Sequence, residues 1–174
     1  MIALEIETSR LSLRPLLASD ARVITELVQD PQIYRTVARI APGQSIDTTR
    51  AFLKATEEGH YADTDHVCAI EQGGALIGCV GVHRRTRQDL FELGYWLAPG
   101  AWGKGYATEA ADALLSRLTR RAGERAFVSG YFTDNPASGQ VLRKLGFLPC
   151  GLRPVYCLGR DTNLPHRDMV WVAG

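Results

Sequence analysis

The chain has 174 residues, of which 45% are hydrophobic and 22% are charged, proportions typical of a globular domain with a sizeable core. Its formal net charge of +1 favours neither nucleic acid nor a membrane as a partner. The first residues lack the pattern of a signal peptide, and no apolar run approaches the roughly 20 residues that cross a bilayer. Because no linker or repeat interrupts the sequence, we expect a single domain over residues 1–174.

The cysteines indicate the redox environment of the protein. None belongs to a CxxC pair, and all four fall in stretches that resemble buried strands: Cys68, Cys79, Cys150 and Cys157. We therefore expect buried free thiols, and neither a disulfide framework nor a metal site. Free thiols are typical of the reducing cytoplasm, where we expect this protein to reside.

The chain begins with a predicted strand and two predicted helices. Alternation of apolar and polar residues at 11–16 indicates the strand. An apolar helical face follows Asp20 and continues to Pro31, and a second helix is expected at about 47–58, with Gly59 just past its end. Three strands are expected next, near 66–70, 75–82 and 90–98. The first two flank a Gly-Gly turn typical of a hairpin, and the basic stretch before the third predicts an exposed turn at 83–89.

The second half predicts two helices separated by strands. From Gly103 on, apolar residues recur at helical spacing, so a helix is expected to end before Gly123. Asn135 suits the N-cap of a further helix, with Pro136 at its first position and Gly146 after its end. Strands are expected at 125–132, 147–158 and 166–172. This order predicts a mixed α/β sheet covered by helices rather than a doubly wound fold.

Glycines crowd the start of the first of these two helices, at Gly100, Gly103 and Gly105. The free N–H groups of a helix N-terminus, approached closely through glycines, make a cradle for a pyrophosphate, with Lys104 at its rim. A tight turn in which glycine only relieves strain would explain the same spacing. A P-loop fits poorly because Gly105 follows Lys104, and a dinucleotide fingerprint fits poorly because its third glycine is absent.

A third pattern fits the glycine stretch better. The segment "GYWLAPGAWGKGYATEAADALL" resembles the acetyl-CoA-binding motif of the GNAT superfamily of N-acetyltransferases, whose core is [Q/R]-x-x-G-x-[G/A]. It is most similar to the ribosomal-protein N-terminal (RimJ/RimL-like) branch, which "TSRLSLRPLLASDA" and "NPASGQVLRKLGF" also resemble, at 8–21 and 135–147. One departure is Gly100, which occupies the Q/R position and leaves the loop without that side chain.

The resemblance implies a GNAT fold, with a mixed, mostly antiparallel sheet of about seven strands and helices on both faces. Two central strands splay apart, and the pantetheine arm of acetyl-CoA inserts between them. The strand concerned is 91–98, where Gly94 marks either a bulge or close packing against a helix. Asn135 is a pantetheine contact or only an N-cap. The residues implied to bind acetyl-CoA are Trp96, Leu97, Ala98, Trp102, Gly103, Lys104, Gly105, Tyr106, Ala107 and Asn135.

The resemblance also implies which groups move protons. Many relatives protonate the leaving thiolate with a tyrosine at the position that is Leu142 here, so Ser138 is the expected acid, or else an ordinary helix-start serine. Glu92 is the expected base, unless it is only a solvated strand glutamate and water serves instead. Glu109 is expected to complement the helix dipole or bond to backbone. Loop or surface roles are expected for the histidines, His60, His66, His83 and His166.

The function implied is acetyl-CoA-dependent N-acetyl transfer to a primary amine, without a metal. A protein N-terminal α-amine is the favoured acceptor, and an aminoglycoside, a polyamine or another small amine stays open. Acceptor specificity is expected in segments 31–46 and 156–166. A non-catalytic acyl-CoA sensor is the alternative from another class, and the sequence leaves open a homodimer.

Overall fold

The computed structural model describes residues 3–173. Its centre is one eight-stranded sheet, in the order β1-β2-β3-β4-β5-β6-β8-β7. The strands are Ile6–Glu7 (β1), Ser12–Pro15 (β2), Asp65–Gln72 (β3), Ala75–His83 (β4), Phe91–Leu97 (β5), Ala126–Phe132 (β6), Leu148–Cys157 (β7) and Thr162–Val172 (β8). The helices are Ala21–Val28 (α1), Pro31–Tyr34 (α2), Ile46–Ala62 (α3), Tyr106–Ala122 (α4) and Pro136–Lys144 (α5).

The sheet is covered on both faces because its strands alternate between two apolar clusters. On one face, α4 contributes the apolar stripe that its spacing predicted, with Leu114 and Leu118 packed against Phe91 and Phe127. On the other face, α1 and α3 pack against Cys79 and Trp96. Within residues 3–173, no helix is long and apolar enough to cross a membrane.

Most predicted elements are confirmed, and the glycine hairpin is one of them. Gly73 and Gly74 both have positive φ, 59° and 79°, as the two-residue turn requires. The prediction for α3 was wrong at its end, because the helix continues to Ala62 and Gly59 lies inside it. Packing explains why a glycine stands inside this helix, because a Cβ at Gly59 would collide with the side chain of Asp65 at the start of β3. The sheet also gains a strand that the sequence did not predict, the short β1.

Two further predictions, about Cys150 and Gly94, were wrong. Cys150 is exposed on the edge strand β7, whereas the other three thiols are buried. The turn after β4 is exposed at residues 85–89, as predicted, although the Arg84 side chain is 7% exposed and forms ion pairs with Asp63 and Glu124. Gly94 marks neither a bulge nor close packing, because β5 pairs with β4 without a register shift and the space above Gly94 is open.

Candidate functional site

The central strands β5 and β6 are parallel neighbours that separate almost at once. They pair at only two positions, Phe91 with Phe127 and Glu92 with Val128. Immediately beyond, the buried Ser129 hydroxyl donates to the carbonyl oxygen of Leu93 at 2.8 Å. We call this point, where the two strands separate, the fork. The splay predicted for this strand is therefore present. It leaves main-chain groups of β5 facing a gap rather than a partner strand.

The hydrogen bonds around β5 show which of its main-chain groups face the gap. The carbonyl oxygens of Leu93 and Leu97 both accept from side chains, Ser129 Oγ and Trp102 Nε1, the latter at 2.8 Å. Since strand groups alternate, Tyr95 also directs its N–H and C=O into the gap.

The remaining predicted groups on this strand point the other way. Ala98 N donates to Ile77 O on the neighbouring chain segment at 2.8 Å, and the carbonyl of Trp96 faces Gly78 on β4. Of the three predicted main-chain contacts, only the N–H of Leu97 thus faces the gap unpaired. Tyr95, one residue earlier than predicted, supplies the other free groups.

The glycine loop, residues 100–105, places unpaired amides at the mouth of the gap. Gly103 and Gly105 have φ of 73° and 81°, a conformation that other L residues rarely adopt, and α4 begins directly afterwards. Within residues 3–173, the amides of Gly103, Lys104 and Gly105 donate to no main-chain or side-chain acceptor. With the free N–H groups of the first turn of α4, they form a patch suited to an anion.

A clamp from the start of the chain holds this loop. The carboxylate of Glu109 accepts from the hydroxyls of Thr8 and Ser9, at 2.7 and 3.0 Å, and from the main chain and guanidinium of Arg10. Arg10 also donates to the carbonyl oxygen of Lys104 at 2.8 Å. Burial raises the pKa of Glu109, but the hydrogen bonds from Thr8, Arg10 and Ser9 outweigh it and lower the pKa overall. Glu109 therefore does more than complement the helix dipole.

A cavity of about 330 Å³ extends from the glycine loop along residues 95–97 of β5 to α5. Nine of the predicted residues line it: Trp96, Leu97, Trp102, Gly103, Gly105, Tyr106, Ala107, Asn135 and Ser138. Three predicted residues lie outside its lining, Ala98, Lys104 and Glu92. Asn135 caps α5 as predicted, because its side chain accepts from the amide of Ser138 at 3.3 Å.

Ser138 and Tyr95 form a hydroxyl pair inside the cavity. Their oxygens are 2.9 Å apart, and when the Tyr95 hydroxyl donates to the carbonyl of Ser138 at 3.1 Å, the Ser138 hydroxyl is the donor within the pair. Burial raises the pKa of Tyr95, so its hydroxyl stays protonated. Leu142, at the position of the usual tyrosine, is fully buried in the core. Sequence reasoning missed Tyr95 as a partner of Ser138, although the alternation of β5 places it on the face towards α5.

Glu92 lies on the opposite face of the sheet, beside His83 at 3.1 Å and Arg39 at 3.8 Å. The interaction with the nearby His83 ring and the charge of Arg39 lower the pKa of Glu92 against the opposing effect of burial. A carboxylate held as an anion in this way is a weak base.

The two segments expected to select the acceptor, residues 31–46 and 156–166, are in contact with each other. Leu158 N, in the turn after β7, donates to Ala38 O at 3.0 Å. A second, open cavity of about 380 Å³ lies between α2 and Arg160, and it shares Thr36, Trp102 and Asn135 with the first. The two cavities therefore adjoin.

Comparison with known proteins gives consistent matches. The family described as acetyltransferase (GNAT) domain matches residues 10–148. A Bacillus subtilis (strain 168) protein named uncharacterized N-acetyltransferase YoaA is 27% identical over 160 residues, 90% of each chain. The ribosomal-protein-serine acetyltransferase of Escherichia coli (strain K12) is 29% identical over 106 residues, 60% of this chain and 59% of that protein. The solved structure of RimL, a ribosomal L7/L12 alpha-N-protein acetyltransferase in complex with coenzyme A, superposes with a TM-score of 0.84 at 20% identity, covering 95% of this chain and 96% of that one.

Proposed function

Because the chain belongs to the acetyltransferase (GNAT) family, we propose that it transfers the acetyl group of acetyl-CoA to the N-terminal α-amine of a protein. One observation carries the proposal. The cavity beside β5 and α5 is lined both by the glycine loop, whose free amides suit an anion, and by the Tyr95–Ser138 hydroxyl pair. A cofactor with a diphosphate, an amide-rich arm and a reactive sulfur has the chemistry that these groups would bind.

Each part of the cavity has a role in this proposal. The amides of Gly103, Lys104 and Gly105 bind the diphosphate, with Trp102, Tyr106 and Ala107 around them. The free main-chain groups of Tyr95 and Leu97 pair with the amides of the pantetheine arm, as another strand would. An N–H of this strand polarises the thioester carbonyl and stabilises the oxyanion that forms on attack.

Ser138 is the proposed proton donor to the leaving thiolate, and Tyr95 supports it. When the Ser138 hydroxyl gives up its proton, the Tyr95 hydroxyl 2.9 Å away can donate to the resulting oxygen. The pair thereby takes the place of the tyrosine that many relatives have at the position of Leu142. Asn135 holds Ser138 in place through the helix cap.

The acceptor is proposed from the relatives rather than from the cavity. The E. coli relative is named for ribosomal-protein serine acetylation and the structural neighbour for α-N-acetylation of a ribosomal protein. An α-amine also suits the chemistry, because its unperturbed pKa of about 8 leaves a useful neutral fraction at neutral pH.

A thiol-release assay tests the proposal. Purified protein is mixed with acetyl-CoA and with peptides that begin in serine or alanine, the same peptides with a blocked N-terminus, polyamines and aminoglycosides. We expect coenzyme A release with free-N-terminal peptides only, and an acetyl group on the α-nitrogen by mass spectrometry. Stabilisation by acetyl-CoA in a melting assay without thiol release from any acceptor would contradict catalysis, and release with small amines alone would contradict the protein acceptor.

A further inference from the structure

A histidine and an aspartate lie together on the face of the sheet that carries Glu92. His166 Nδ1 is 2.9 Å from Asp168 Oδ1, two residues along β8. The His166 side chain is 11% exposed, and its ring meets Phe132 edge-on at a centroid distance of 5.6 Å. Asp168 also accepts from Arg153 at 2.8 Å, which fixes the position of its carboxylate. An imidazole oriented through Nδ1 by a carboxylate presents Nε2 as a proton acceptor.

The strand register places this ring close to the level of Tyr95 on β5. Extending the pairing of β5 with β6 by two residues puts Gly94 level with Gly130, just past the fork. Tyr95, which lines the cavity, is one residue further along, about 3.3 Å. The His166 ring leans over Gly130, since a Cβ there would collide with it.

Gly94 and Gly130 lie level with each other on the two splayed strands. Gly94 is exposed with open space above it, and the His166 ring occupies the space that a side chain at Gly130 would take. Glu92, two residues before Gly94, lies on the same face of the sheet as this ring. An amine that approached Gly94 from this face would pass these two side chains.

We propose that His166, oriented by Asp168, is the general base that deprotonates the acceptor amine. The inference rests on the proposed function. His166 Nε2 takes a proton from the ammonium group, and the freed nitrogen lone pair forms a bond to the thioester carbonyl carbon. The tetrahedral intermediate then breaks its C–S bond, and the electron pair leaves with sulfur. As the C–S bond breaks, Ser138 gives its hydroxyl proton to sulfur and the nitrogen gives its second proton to water. Water then restores the proton of Ser138, and imidazolium returns the first proton to water.

Glu92 takes a different part in this arrangement. Its carboxylate already pairs with His83 and Arg39, so it attracts the incoming ammonium group but accepts a proton poorly. The charged and titratable groups around His166 come from several elements. They are Asp168, Arg153, Glu92, His83, Arg39, Asp134 and Arg160.

The test compares four variants in the thiol-release assay, with the acceptor peptide saturating and across pH 5.5–9. If His166 is the base, we expect the kcat of the wild type to decline as the pH falls below neutrality. His166→Gln should lower kcat by about 100-fold or more and remove this decline, with the KM for acetyl-CoA and the melting temperature near those of the wild type. Asp168→Asn should lower kcat less and move the decline to a different pH, while Glu92→Gln should raise the KM for the peptide and keep the decline. His60→Gln, on α3, is the matched control.

The proposal is wrong if His166→Gln keeps kcat within threefold of the wild type, or if Glu92→Gln is the variant that loses the decline. Should His166→Gln fail to fold, Asp168→Asn decides: an unchanged pH profile overturns the proposal. A wild type that releases no thiol with any acceptor would refute the proposed function itself, which separates the two failures.

Discussion

The clamp between the start of the chain and α4 should contribute measurably to stability, and Glu109→Gln tests it. The glutamine keeps the size of the side chain but loses the charge that five donor groups from Thr8, Ser9 and Arg10 share. Hydrogen bonds to a charged group contribute about 1.5–3 kcal/mol each when their loss leaves the donor groups without another acceptor. Ser9 and Arg10 are exposed and can bond to water instead. We therefore expect the free energy of unfolding to fall by about 2 kcal/mol in total.

Thermal unfolding measures this loss. For a chain of this size, about 2 kcal/mol corresponds to a decrease of roughly 4–8 °C in Tm. Glu58→Gln is the control, because the Lys54–Glu58 pair is exposed and its loss should cost at most ~0.5 kcal/mol. A Tm for Glu109→Gln within 1 °C of the wild type would refute the reasoning.

The pH dependence of this difference provides a second check. Because the pKa of Glu109 is lowered in the folded protein, the carboxylate stabilises the fold above the ordinary glutamate pKa of about 4.3. That stabilisation is lost as the pH falls through the lowered pKa. The wild type and Glu109→Gln should therefore converge in Tm as the solution is acidified. A gap that is constant from pH 7 to pH 3 would show that the charge is not its source.

Two other predictions concern the cavity. Gly103→Ala should weaken acetyl-CoA binding by about tenfold, equivalent to ~1.4 kcal/mol, because alanine at φ 73° distorts the anion-binding loop. Calorimetry against Gly100→Ala, where φ is not positive and the space is open, checks this, and equal affinities would count against the loop as the cradle. Ser138→Ala should lower kcat with little change in acetyl-CoA affinity, and Tyr95→Phe should lower it less. An unaltered kcat for Ser138→Ala would remove its acid role.

Nine of the residues that line the cavity could be named from the sequence because they belong to short local motifs. The glycine loop and the cap of α5 depend on neighbours within a few residues, so Gly103, Gly105 and Asn135 occupy the backbone positions that their types suit. The main-chain contacts on β5 were predicted less well. Whether the main-chain groups of Tyr95 or of Trp96 face the gap depends on which of them pair with β4. The sequence of β5 alone does not determine that pairing.

Contacts between distant segments account for the features that sequence reasoning missed. Glu109 meets Arg10 across 99 positions of the chain, and Tyr95 meets Ser138 across 43. His166 looked like one of four scattered histidines until β8 placed it beside Gly130.

The sequence by itself determined the family, most of the strands and helices, and the glycine loop that precedes α4, since periodicity, capping and motif are properties of short segments. Only the tertiary structure decided which side chains meet at the fork of the sheet. Proton transfer depends on distances of a few ångströms between residues far apart in the chain. Those distances are set by strand register and helix packing, which no short segment encodes.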